Sequence, residues 1–199
     1  MKRVSDVVFA LVLLLLTAPI LLLAALTVLV TSGRPVFFGH HRVGRHGIPF
    51  RCWKLRTMSV GAELVLVTNP RLHARYMANG FKLPLSSDPR VTPVGAMLRR
   101  SYIDELPQLF NVLNGSMSMV GPRPIVAQEV AEYGAAAGEL LSARPGIFGA
   151  WAAEGRSRPA YPRRTELELE YVRRRSLVLD LMILMRSVPV VLLGQGPDA

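Results

Sequence analysis

The chain has 199 residues and a mass of 21.9 kDa, enough for one domain with a sizeable core but hardly for two with a linker. Half of it is hydrophobic and 19% is charged, which excludes a disordered chain; a single cysteine, Cys52, excludes a disulfide scaffold and makes a reducing, cytosol-facing compartment the default. The net charge of +10, with 21 arginines against three lysines, points to phosphates or anionic lipid, and nucleic acid would satisfy it equally well.

From Val7 to Val30 the sequence is uncharged and reads VVFALVLLLLTAPILLLAALTVLV. As one helix this stretch would be ~36 Å long, enough to cross a hydrocarbon core of ~30 Å. It is too long for a signal peptide and lacks a small-residue cleavage site, so it is expected to be retained. Orientation by flanking charge gives two answers. Lys2 and Arg3 mark one flank as cytoplasmic, while Arg34, Arg42, Arg45, Arg51, Lys54 and Arg56 mark the other. Pro19 removes a backbone hydrogen bond and is expected to break the helix near Ala18. A helix that enters and leaves on the same face satisfies both flanks; a plain spanning helix with a tolerated proline is the alternative, and these residues alone leave both open.

Residues 31–58 alternate short apolar pairs with glycine, proline and basic residues, which predicts short strands and turns. Glu63 to Gly80 has helical periodicity broken at Asn69-Pro70. From Asp104 the pattern predicts a short helix with Leu106, Leu109, Phe110 and Leu113 on one face, Asp104 as its N-cap, Pro107 in its first turn and a stop at Asn114-Gly115. Residues 115–160 are rich in proline and glycine, so the backbone there is rigidly set. A second amphipathic helix is predicted from about Thr165, with Glu170 able to pair with Arg173 or Arg174. Leu177 to Leu193 is apolar but interrupted by Asp180 and Arg186, the pattern of an interfacial or packed helix.

Between Glu63 and Glu129 the only carboxylates are Asp88, Asp104 and Glu105. An adjacent pair at a helix N-terminus is favoured in its ionised form, and such a carboxylate can act as a nucleophile or hold Mg²⁺; an ordinary cap followed by a first-turn glutamate is the competing reading. Arg99 and Arg100 precede the pair. Arg123 is fixed between Pro122 and Pro124, which suits a guanidinium aimed at a phosphate, and Arg144-Pro145-Gly146 and Gly155-Arg156 repeat an arginine on a constrained turn. Zinc spacing is absent around His40, His41, His46 and His73, and neither a Walker A loop, a dinucleotide fingerprint nor a serine with an evident histidine base occurs. The aromatic content of 7% is thin for a single-strand nucleic-acid platform.

The run SSDPRVTPVGAMLRRSYIDELPQLFNVLNGSMSMVGPRP, from Ser86 to Pro124, closely resembles the core of the bacterial sugar transferases, the monotopic polyprenyl-phosphate phosphoglycosyl transferases. The resemblance extends upstream through GRPVFFGHHRVG and FRCWKLRTM and downstream through RPGIFG and YVRRRSLVLDLMIL, covering nearly the whole chain. It implies transfer of a sugar 1-phosphate from a UDP-sugar to undecaprenyl phosphate, with release of UMP, as the first membrane step of surface glycan synthesis. It further implies that Asp104 is a nucleophile forming a covalent phosphosugar, that Glu105 assists with Mg²⁺ and proton handling, and that Arg99 and Arg123 bind phosphate. Lys54, Arg56, Arg144 and Arg156 complete the candidate phosphate and substrate contacts, and Asp104 and Glu105 are the candidate metal ligands. The family also carries a re-entrant membrane helix broken at a proline, here Ala18-Pro19 where the family commonly has Ser-Pro. Where the family commonly reads GWAQVNGR, this chain has GAWAAEGR from Gly149 to Arg156.

The expected fold is α+β, mainly helical and monotopic: a re-entrant helix over 1–32 and a catalytic part over 33–199 facing the cytoplasm at the bacterial inner membrane, docked by interfacial amphipathic helices and forming one structural unit. UDP-sugar, undecaprenyl phosphate and inner-membrane lipid are the expected partners, downstream glycosyltransferases and a homodimer are compatible with it, and nucleic acid is not expected. Rival readings are a membrane-anchored module that binds nucleic acid or anionic lipid, and an inactive scaffold of a glycan-assembly complex.

Overall fold

A computed structural model describes residues 2–79, 83–150 and 161–192. The architecture is mainly helical with two small two-stranded sheets. Helix α1 (Lys2–Ser32) is followed by the hairpin β1 (Phe37–Val43) and β2 (Pro49–Leu55), then α2 (Ala62–Thr68), α3 (Pro70–Ala78), α4 (Pro93–Arg100) and α5 (Gln108–Asn114). Strand β3 (Ser118–Val120), α6 (Ala137–Leu140), β4 (Gly146–Phe148), α7 (Arg163–Arg174) and α8 (Leu177–Leu192) complete the described chain.

Helix α1 runs without interruption through Ala18 and Pro19, so the expected break is not a gap in the helix. Proline at 19 cannot donate to the Leu15 carbonyl, and the neighbouring Thr17 hydroxyl serves Leu13 O at 2.7 Å instead. One stripe of α1 packs on the rest of the molecule along its length: Asp6, Ala10, Leu21, Ala24 and Val28 are buried, while Leu15, Leu16, Leu22 and Leu23 are exposed. Both ends are tied to the same body. Arg3 donates to the Val112 and Leu113 carbonyls (2.5 and 2.9 Å), Asp6 accepts from Ser118 Oγ (2.8 Å) and the Met119 N–H (3.1 Å), and Lys2 pairs with Asp180. At the other end Arg56 donates to the carbonyls of Ser32, Gly33 and Arg34, groups left without intrahelical partners where the helix stops.

The punctuation in the sequence placed several elements well. The predicted strands form the antiparallel β1–β2 hairpin, and Asn69 does separate two helices: its Oδ1 accepts from Leu72 N (3.1 Å) and Pro70 opens α3. The helix expected from Asp104 begins later. Ile103–Glu105 form a separate 3₁₀ turn, Pro107 stands at the N-cap of α5, and no side chain caps it. The expected apolar face is rotated as well: Phe110 is 45% exposed, while Leu109 and Val112 enter the core together with the polar Gln108 and Asn111. Asn111 earns its burial by closing the free edge of β2, accepting from Trp53 N at 2.9 Å and donating to Arg51 O at 2.8 Å.

A core of Ala10, Cys52, Leu109, Val112, Met117 and Tyr171, with others, joins α1, β2, α5 and α7. Helix α7 starts at Arg163; its Glu170 pairs with Arg174 at 3.0 Å, while Arg173 reaches Glu139 instead. Helix α8 turns Asp180 inward to Lys2 and to Tyr171 Oη (2.7 Å), and leaves Leu177, Val178, Leu181 and Met185 exposed. That is the split expected of a docked amphipathic helix.

Candidate active site

The β1–β2 register sets one wall of the site. Phe38, His40 and Arg42 stand opposite Lys54, Cys52 and Phe50, and because side chains alternate faces along a strand, these six share one face of the hairpin. Lys54 at one end of that face donates to Glu105 Oε1 at 2.5 Å. Arg42 at the other end donates to the Pro124 carbonyl at 3.3 Å and lies 3.6 Å from Glu129. Cys52 is buried between them.

The carboxylate pair is delivered by a change of chain direction. Helix α4 is capped by Thr92, whose Oγ1 accepts from Gly95 N at 2.9 Å, and ends at Arg100. Gly95 lies against Thr57, where an added Cβ would come within 2.0 Å of the Thr57 carbonyl oxygen, so α4 can approach the end of β2 this closely only with glycine there. Tyr102 then adopts the left-handed region (φ 57°), rare for a bulky residue, and the turn that follows places Asp104 at 4% exposure beside the half-buried Glu105. Arg99, in the last turn of α4, donates through Nε to Thr57 Oγ1 at 2.8 Å.

Segment 121–126 forms the opposite side. Gly121 N donates to Phe148 O (2.9 Å) and Gly146 N to Pro122 O (2.8 Å), joining the GPRP and RPG turns; a Cβ on either glycine would collide with the other backbone. Arg123 therefore sits on a backbone held from both sides. Its amide donates to the buried Glu168 at 3.4 Å.

Charge is concentrated here. Burial disfavours the Lys54 ammonium, but the carboxylates of Glu105 and Asp104 outweigh it and raise its pKa above the ordinary 10.5. Burial and then the charge of Arg123 lower Arg42, with Glu129 working in the opposite direction. Cys52 is pushed up to about 11, chiefly by burial, so it is a packing thiol and a poor nucleophile at neutral pH.

Of the candidate residues, the structure gathers Asp104, Glu105 and Lys54, sets Arg99 on the helix leading into their turn, and places Arg123 across from the hairpin beside Arg42. Arg56 is occupied with the end of α1, and Arg144 donates through Nε to Gly115 O (2.9 Å), at the far end of α5 from the carboxylate pair. Both therefore have structural tasks in addition to, or instead of, the expected substrate contact. Arg156 lies outside the described residues, as does most of the GAWAAEGR departure. Thr57, Glu129 and Glu168 carry no local mark of a site residue, and Arg42 stands in the sequence as one of the flanking charges beside the apolar helix; its period-two spacing from His40 and Phe38 is the one local clue to its place. Among the described residues no group of three or more His, Cys, Asp or Glu could hold a metal ion.

Residues 1–194 match the bacterial sugar transferase family. The exopolysaccharide production protein ExoY of Rhizobium meliloti (strain 1021) is 42% identical over 98% of this chain and 87% of its own length. The undecaprenyl-phosphate galactose phosphotransferase of Salmonella typhimurium (strain LT2) is 39% identical over 98% of this chain, which spans 41% of that longer protein. The UDP-glucose:undecaprenyl-phosphate glucose-1-phosphate transferase of Escherichia coli (strain K12) is 37% identical over 94% of this chain and 39% of its own length. With the family matched across the catalytic body and the helix it packs on, the chain belongs to the bacterial sugar transferases and is a transferase enzyme.

Proposed function

We propose that the protein transfers a sugar 1-phosphate from a UDP-sugar to undecaprenyl phosphate in exopolysaccharide synthesis, through a covalent intermediate on Asp104. The observation that carries this reading is the buried Asp104 turned in beside Glu105 and Lys54, on a face shared with Arg42 and closed by the Arg123 segment. The relatives named for undecaprenyl-phosphate transfer supply the substrate class.

In the first step an Asp104 carboxylate oxygen attacks the sugar-bearing phosphorus of the donor. The bond from that phosphorus to the bridging oxygen breaks, and UMP leaves with the oxygen and its electron pair. In the second step a phosphate oxygen of the lipid attacks the same phosphorus, the bond to Asp104 breaks, and the carboxylate is regenerated. An anion attacking a diphosphate needs cations around it before it can approach, which is the work of Lys54, Arg42, Arg99 and Arg123. Before attack the Glu105 and Asp104 carboxylates outweigh burial and hold the Lys54 ammonium charged, and Glu105 stays paired with it when Asp104 carries the phosphosugar. Burial keeps water from Asp104, so that the phosphosugar waits for the lipid.

Two adjacent carboxylates match the sparse protein ligation of Mg²⁺, which is commonly held by one or two carboxylates together with substrate phosphates. Asp104 and Glu105 would hold it, and when bound it would supply charge neutralisation at the diphosphate.

Helix α1 is the candidate membrane anchor, long and apolar enough to cross a bilayer. Its attachment to one body at both ends supports a re-entrant course in the inner membrane with the catalytic part at the cytoplasmic face, because a helix spanning the bilayer would carry its ends to opposite sides.

The test uses purified protein in nanodiscs with undecaprenyl phosphate, Mg²⁺ and a panel of UDP-sugars, following UMP release. Wild type is expected to release UMP with one of them, and donor alone is expected to leave labelled phosphosugar on the protein. Asp104→Asn is expected to abolish both label and turnover; full turnover by that variant would refute the covalent route.

A further inference from the structure

The segment 121–126 that carries Arg123 has two prolines, and so only limited means of fixing itself by backbone pairing. From Arg123 onward, most of its bonds go to charged side chains. Arg123 N donates to Glu168 (3.4 Å), Pro124 O accepts from Arg42 (3.3 Å), and Val126 N donates to Glu129 (3.0 Å), while the Ile125 and Val126 carbonyls take backbone donors, Val43 N at 2.9 Å and Glu129 N at 3.0 Å. These side chains are joined to one another. Arg164 donates to Glu168 at 3.1 Å and to Glu129 at 3.3 Å, Glu129 faces Arg42 at 3.6 Å, and Tyr133 donates its hydroxyl to Glu168. The result is a continuous chain of ions, Arg42, Glu129, Arg164 and Glu168, wrapped around one side of the segment.

Glu168 is 1% exposed, and Arg164 lies under the Tyr161 ring with its guanidinium carbon 5.0 Å from the centroid. Burying ions in this way contributes little net stability, since desolvation offsets most of the attraction; the bonds they make to the backbone instead hold one geometry. The geometry fixed here is that of the Arg123 backbone.

We propose that Glu168 is the positioning residue of Arg123: held by Arg164 and Tyr133, its carboxylate fixes the Arg123 amide so that the guanidinium meets the diphosphate of the sugar-nucleotide donor. This rests on the function proposed above. Glu168 itself touches no reacting atom. Glu129 does the same for Val126 and, through Arg42, for Pro124.

The test is a double-mutant cycle on the full chain in nanodiscs, measuring kcat/KM for the donor in the UMP-release assay, with amide hydrogen exchange as a second readout. Glu168→Gln keeps the volume and removes the charge. It is expected to lower kcat/KM about 10- to 100-fold, the scale of a misplaced binding group. In an Arg123→Ala background the same substitution is expected to cost nothing further. Exchange in peptides covering 121–126 is expected to rise while α5 keeps its protection. Multiplying effects of the two substitutions, or unchanged exchange at 121–126, would overturn the proposal. Should Glu168→Gln fail to fold, Tyr133→Phe, which removes the hydroxyl that holds the Glu168 carboxylate, is judged by the same two criteria. An Arg123→Ala variant with wild-type kinetics would instead remove the phosphate role of Arg123 on which the proposal stands, a result distinct from additivity in a cycle where Arg123→Ala is impaired.

Discussion

Replacing Asn111 by leucine tests whether the site wall depends on helix α5. The Asn111 amide accepts from Trp53 N and donates to Arg51 O and Ser116 Oγ at 2.8 to 3.0 Å, and its side chain is 1% exposed. Leucine fills a similar volume, so the cavity contribution is small, but the Trp53 N–H loses its acceptor at a contact sealed by α5. A stranded buried donor costs roughly 1–3 kcal/mol, and the lost bond to Arg51 adds about 1 kcal/mol, giving a total of about 2–4 kcal/mol. Against a domain stability of about 5–15 kcal/mol this is measurable by denaturant unfolding in detergent. Ser116→Ala is the control: it removes one partner of Asn111 without touching β2, and is expected to cost about 1 kcal/mol or less. Since β2 carries Lys54, Asn111→Leu is also expected to reduce UMP release under conditions where the variant remains folded. A loss of stability below about 0.5 kcal/mol, within the range of ordinary surface substitutions, would refute the view that the Asn111 side chain holds the β2 edge.

Burial pushes the Asp88 carboxyl up, but the bidentate bonds from the Arg90 guanidinium (2.8 Å each) and the bond from the Arg90 N–H hold it below its ordinary 3.8. A depressed carboxylate contributes stability that is fully present well above pH 3.8 and is lost as pH falls through the lower folded value. The stability gap between wild type and Asp88→Asn is therefore expected to be constant from pH 7 to about pH 5 and to narrow below 3.8; a gap that stays constant to pH 2 would contradict the pairing. Cys52, 3% exposed with its thiol pushed up to about 11, is expected to resist maleimide at pH 7.5 in the folded protein and to react promptly in denaturant. Rapid labelling without denaturant would show that the hairpin face opens far more readily than the packing implies.

Much of the molecule was legible because local physics fixes it. Asn69-Pro70 had to separate two helices, since proline cannot continue the first and suits the first turn of the second. Glycine, proline and basic residues between short apolar pairs imply short strands and turns over 31–58, and the structure pairs the strands as a hairpin. The sequence opens α5 too early because Asp104 and Pro107 both look like helix-opening residues, and nothing local reveals that Tyr102 takes a left-handed conformation and closes a separate turn first. Periodicity puts Phe110 on one face with Leu106, Leu109 and Leu113; which stripe of so short a helix is covered depends on α1 and β2, and these favour the side bearing Asn111.

The sequence by itself determined a long apolar N-terminal helix, a basic protein with very few central carboxylates, and an ordered set of motifs that names the family. Tertiary structure decided which charges serve together. Arg56 and Arg144 carry the same residue type as Arg99 and Arg123, yet the fold gives Arg56 to the end of α1 and Arg144 to the end of α5. Arg42, Glu129 and the Arg164–Glu168 pair of α7 are far apart along the chain and meet only when the hairpin, residues 121–129 and α7 pack together. Backbone conformation and charge pairs within one helix are set by neighbours a few residues away and so leave a periodic trace in sequence, whereas a charge paired across elements is satisfied by whatever the fold brings within hydrogen-bond reach, which leaves none.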